Sequence, residues 1–99
     1  MQEDLERIRE IFGEEYSNAI ERVLEIRKSR LDQYGNTYLK DDFMFLYYQV
    51  LNKMKRFVLQ LDRVENRELI KNREVALDSA IDCANYALFI VSKLLKEDE

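Results

Sequence analysis

The stretch Leu77-Asp78-Ser79-Ala80-Ile81-Asp82-Cys83-Ala84-Asn85-Tyr86-Ala87-Leu88-Phe89-Ile90 decides the fold. It has the composition of a buried helix, with small residues that let a neighbour approach closely. It also carries two carboxylates and an amide, at positions 78, 82 and 85. Offsets of four and then three put all three on one side of an α-helix. A carboxylate among apolar neighbours costs several kcal/mol unless it is paired or bound to a cation. Asp78 and Asp82 therefore require a partner. Either an Arg or Lys of the same chain neutralises them, or they hold a metal-phosphate ligand.

Working outward, the apolar positions Leu77, Ala80, Ile81, Ala84, Leu88, Val91 and Leu95 form a heptad-like seam. The spacing predicts a last helix over about 73–96, capped by Asn72, as the central helix of a bundle. The segment 64–72 breaks the apolar period and reads as a connection with at most one helical turn. Before it, a helix over about 42–63, capped by Asp41 or Asp42, carries Phe43, Tyr47, Val50, Met54, Phe57 and Leu61 on one stripe. A second stripe holds Met44, Tyr48, Leu51 and Val58, so this helix needs two neighbours. Between the stripes runs a polar line, Gln49, Asn52, Lys53, Arg56 and Gln60.

The first helical region spans about 3–33 and is interrupted by Gly13, which sets off residues 1–13 as an arm suited to a partner subunit. Tyr34-Gly35-Asn36-Thr37 is a helix stop, with Gly35 supplying the left-handed cap. With no Pro and two Gly in 99 residues, the chain favours helices throughout. The expected architecture is all-α: one domain, a compact antiparallel bundle of three to four helices completed by oligomerisation, with a homodimer favoured by the two-striped helix.

Composition narrows the chemistry. There is no His, and the single cysteine, Cys83, sits in the apolar helix. Zinc sites and His-based catalysis are therefore ruled against, and intramolecular disulfides are impossible. Sixteen basic residues are interspersed with twenty acidic ones, for a net charge of −4, which argues against a general nucleic-acid binder. The charged N-terminus and the lack of an apolar run near 18 residues point to the cytoplasm and away from membranes. Chemistry in such a chain runs on carboxylates, Lys, Arg, Tyr and a hard cation such as Mg²⁺.

If the last two helices run antiparallel, Gln49, Asn52, Lys53 and Arg56 face Asp78, Asp82 and Asn85. One outcome is a structural pair, Lys53 or Arg56 against Asp82. The other is a cation-and-phosphate site, with Mg²⁺ on the carboxylates and Lys53, Arg56 and Arg30 on phosphate oxygens. Glu21 and Glu25, four apart on the first long helix, are further candidate metal ligands or a solvated face. Tyr34 and Tyr38 are candidates for stacking on a base or for packing at a helix end.

Three blocks carry a resemblance. Arg30-Leu31-Asp32-Gln33-Tyr34-Gly35, Asn52-Lys53-Met54-Lys55-Arg56 and Asp78-Ser79-Ala80-Ile81-Asp82-Cys83-Ala84-Asn85-Tyr86-Ala87 resemble the MazG-like all-α nucleoside triphosphate pyrophosphohydrolases of phages and prokaryotes. The nearest branch is the nucleotide modification associated domain, and the likeness brackets residues 30–90. It implies an oligomeric helical bundle that binds a canonical or modified (deoxy)nucleoside triphosphate with Mg²⁺ and splits the α–β phosphate bond. Asp78 and Asp82 would be metal ligands and Lys53 and Arg56 phosphate contacts. Tyr34 and Gly35 would shape the pocket, with Arg30 and Asn85 in the flanking blocks. The sequence departs from the family where acids are usual: Gln49 and Asn52 are amides, which keep an acceptor oxygen but lose the charge that attracts Mg²⁺. The rival reading is a non-catalytic phage- or virus-type helical protein that binds a nucleotide signal or a protein partner.

Overall fold

The computed structural model describes residues 2–97. They form four helices, α1 (Gln2–Phe12), α2 (Glu14–Tyr34), α3 (Phe43–Val58) and α4 (Arg73–Glu97), with one hairpin, β1 (Leu61–Val64) and β2 (Arg67–Ile70). A single 3₁₀ turn, Thr37–Lys40, precedes α3. The all-α expectation therefore holds, with the hairpin as its one addition. The chain divides into two compact units, one ending at Gly35 and the other beginning at Asn36.

In the first unit Gly13 separates two helices as its position predicts. It sits at φ 95°, ψ 167°, a conformation open to glycine and strained for other residues. The break lets α1 pack on α2. Ser17, fully buried, donates to the Leu5 carbonyl at 3.4 Å, and Phe12 lies 5.5 Å from Tyr16 between ring centroids. The arm thus contacts its own chain. At the other end Gly35, at φ 55°, closes α2 by donating its N–H to the Leu31 carbonyl at 2.7 Å. Arg27 donates to the Gly35 carbonyl at 3.0 Å and fixes the stop.

The second unit is built on α3 and α4. Asp42 caps α3 by accepting from the Phe45 N–H at 2.7 Å, and Asn72 caps α4 by accepting from the Val75 N–H at 3.1 Å. The expected helix over 42–63 is corrected: α3 stops at Val58, and 61–70 becomes an antiparallel hairpin pairing Leu61 with Ile70 and Val64 with Arg67. Its turn residues, Glu65 at φ 51° and Asn66 at φ 67°, have the two positive φ values of a type I′ turn. Glu in place of the usual Asn or Gly at the first turn position hid this hairpin from the sequence pattern.

Beyond the hairpin the chain reverses, so α3 and α4 run antiparallel. Contacts near the middle and at one end fix the register. Lys53 meets Asp82 at mid-helix. Lys93 donates to the Asp41 carbonyl and places its ammonium 4.5 Å from the Phe43 ring centroid. Tyr38 stacks on Phe89 at 4.3 Å with 9° between the ring planes, and its hydroxyl shares a hydrogen bond of 2.9 Å with Ser92.

The core of this unit is small: among the described residues its buried apolar side chains are Leu46, fully enclosed, and Ala76 and Ile81 of α4. The seam of α4 was expected to face inward, and most of it does not. Leu77, Leu88, Val91 and Leu95 are each about half exposed or more, whereas Ser79, Asp82 and Asn85 are buried. Met44, Tyr48 and Val58 of the second α3 stripe are likewise exposed, as are Tyr47 and Met54 of the first. α4 is also long and apolar enough to cross a membrane by length and composition, which corrects the expectation that no run comes near that size. The core helix of a water-soluble bundle meets the same criterion.

Candidate functional site

Helical geometry explains which side of α4 meets α3. At 100° per residue, Ser79, Asp82, Asn85, Tyr86, Phe89 and Lys93 fall on one broad face. Leu77, Ala84, Leu88, Val91 and Leu95 fall on the face opposite. The first face is the one turned to α3, as the Lys53, Phe43 and Tyr38 contacts show.

At the centre of that face the Lys53 ammonium lies 3.5 Å from an Asp82 carboxylate oxygen, with the two side chains 24% and 11% exposed. This is a mostly desolvated ion pair. Of the two basic residues offered by the sequence, the structure chooses Lys53; Arg56 is exposed. One turn on, Asn85 is 5% exposed and brings an amide beside the carboxylate line. One turn before, Ser79 is fully enclosed and its hydroxyl has no hydrogen-bond partner. Such an orphaned group costs about 1–3 kcal/mol. Cys83 is free, and burial raises its thiol pKa, which lowers its thiolate fraction at neutral pH.

The remaining candidates are dispersed. Asp78 is on α4 one turn before Asp82 and is exposed. Gln49 is half-buried on α3 and Asn52 is exposed. Glu21, Glu25, Arg30 and Tyr34 belong to the first unit. There Glu21 is half-buried, Glu25 makes an exposed ion pair of 3.7 Å with Arg22, and Arg30 and Tyr34 are exposed. Tyr38, weighed as a base-stacking residue, instead packs its ring on Phe89. Ser79 joins this line as a polar member that composition alone groups with the small residues. Its place one turn before Asp82 was the available signal.

Among the described residues no three Asp, Glu, His or Cys side chains gather as a metal cage. Mg²⁺, however, is commonly held by one or two carboxylates together with substrate phosphates, retaining several waters. Asp78 and Asp82, four apart on one helix, suit a cation that arrives with a phosphate better than a resident ion. Asp82 and Lys53 bring opposite charges to adjacent points on the seam. No family model, curated protein or solved structure matches this chain.

Proposed function

We propose that the α3/α4 seam binds the phosphates of a (deoxy)nucleoside triphosphate or modified nucleotide, with Mg²⁺, as a nucleotide pyrophosphohydrolase-like site. One observation carries this reading: α4 buries Ser79, Asp82 and Asn85 while leaving Leu77, Leu88, Val91 and Leu95 exposed. For stability alone the arrangement runs backwards, because buried polar groups gain little and exposed Leu forgoes transfer free energy. Places where residue choice departs from the logic of stability are expected at functional or strained sites. The resemblance of the three blocks supports the same assignment.

On this reading Asp82, with Asp78, faces the cation, and Lys53 faces phosphate. Arg56, exposed one turn from Lys53, adds a bidentate phosphate donor. A bound cation-phosphate pair replaces the direct Lys53–Asp82 contact with two contacts of the same charge balance. Asn85, buried one turn after Asp82, is assigned by resemblance.

The test is a melting panel of nucleotides with and without Mg²⁺. A ligand at about 100 times its dissociation constant stabilises by about 2.7 kcal/mol, a rise on the order of 10 °C for a domain of this size. Pyrophosphate release that disappears in EDTA and in Asp82→Asn identifies catalysis. Absence of a shift with every nucleotide refutes the reading. A second reading, a non-catalytic nucleotide binder, is favoured by the amides Gln49 and Asn52. It predicts the same shift with no turnover over hours.

A further inference from the structure

The outward face of α4, half of the observation behind the nucleotide reading, leads to an inference that requires no nucleotide. From Leu77 to Leu95 its stripe, Leu77, Ala84, Leu88, Val91 and Leu95, contains no charged residue, and an open groove runs along Leu88, Val91 and Leu95. The stripe is about 27 Å long at 1.5 Å per residue. Its spacings of seven, four, three and four residues follow the heptad repeat by which helices pair, with the intervening position, Ile81, turned into the core.

We infer that this face is a two-fold interface: α4 of one chain packs antiparallel against α4 of a second copy. Three features select a second copy as the occupant. First, half-exposed Leu and Val side chains over this length present on the order of 500 Å² of apolar surface, so two copies bury about 1,000 Å², the threshold for a specific interface. Second, Ala84 at the middle of the stripe, with Ala80 and Ala87 beside it, lets the helices approach closely at a two-fold axis near residue 86. Third, the flanking charges are complementary only in the antiparallel sense. Glu74 lies on the same flank as Lys96, both exposed. Antiparallel helices bring like flanks together, so Glu74 of each copy runs beside Lys96 of the other. Antiparallel dipoles add to the preference.

The experiment is sedimentation equilibrium on the full chain, wild type and Leu88→Asp, with circular dichroism as a check on folding. A dimer at about 50 µM is expected, with Leu88→Asp raising its dissociation constant about 100-fold or more, because a carboxylate is forced into the centre twice. In a Cys83→Ser background, a Leu77→Cys chain should cross-link to a Leu95→Cys chain and not to itself. Three results overturn the inference: a monomer at that concentration, a dimer indifferent to Leu88→Asp, or Leu77→Cys chains that cross-link to one another. Co-sedimentation of the wild type with neutral lipid vesicles in place of self-association also overturns it, since the same stripe would then lie in lipid. If Leu88→Asp unfolds the chain, Val91→Ser with Leu95→Ser serves as the milder variant and should weaken the dimer at least 10-fold.

Discussion

The face of α4 turned to α3 carries Ser79, Asp82 and Asn85, whereas the opposite face carries Leu77, Leu88, Val91 and Leu95. Composition alone would assign them the other way round. In the first unit the logic is ordinary: Gly13 breaks the helix, α1 packs on α2, and one buried serine finds a carbonyl. In α4 the buried serine finds nothing, and a carboxylate is held by a lysine. The difference teaches that the α3/α4 pairing is organised around charge as well as apolar area, and that its aliphatic stripe is free to serve another contact.

The comparison can be broken most severely at Leu46, the fully buried residue on the α4-facing side of α3. Leu46→Ala should lower stability by about 3 kcal/mol through lost transfer free energy and an unfilled cavity, read by urea unfolding. A loss below about 1 kcal/mol would mean that apolar packing there counts for little.

Lys53→Met leaves Asp82 without its cation at 11% side-chain exposure. A drop of about 2 kcal/mol is expected, moderated by the partial exposure of the pair. Calorimetric melting of the variant checks it.

Ser79→Ala sharpens the contrast, because removing an orphaned buried hydroxyl should raise stability by about 1 kcal/mol. Destabilisation in the same melt would show that the hydroxyl makes a bond that matters. On the opposite face, Leu95→Ser should change the stability of the dilute monomer by less than about 0.5 kcal/mol. A larger loss would place Leu95 inside a core.

Much of this was legible in the sequence. The helix stop at Gly35, the break at Gly13 and the Asp42 and Asn72 caps follow from residue types with few conformational alternatives. The offset of 82 and 85 puts these two on one buried face, whereas Asp78, one turn earlier, is exposed. Periodicity could not say which face of α4 meets α3, because α4 bears a polar-aromatic stripe and an aliphatic stripe at the same repeat. The choice of Lys53 over Arg56 depends on the rotation of α3 about its axis, which a one-turn difference in sequence leaves open. The end of α3 at Val58 was hidden because Leu59, Leu61 and Val64 prolong an apolar pattern that serves helix and strand equally. α4 meets the membrane criterion in spite of Asp78 and Asp82, because two carboxylates lower the average over 18 residues only modestly.

The most direct measurement is the melting temperature of Lys53→Met/Asp82→Leu, with and without a nucleoside triphosphate and Mg²⁺. Replacing a buried ion pair by apolar side chains of similar volume is often neutral or stabilising by about 1–4 kcal/mol. If the inner line exists for a ligand, the double variant melts at or above the wild type and its nucleotide-dependent shift disappears. A variant that melts well below wild type, or one that keeps the full shift, would contradict that assignment.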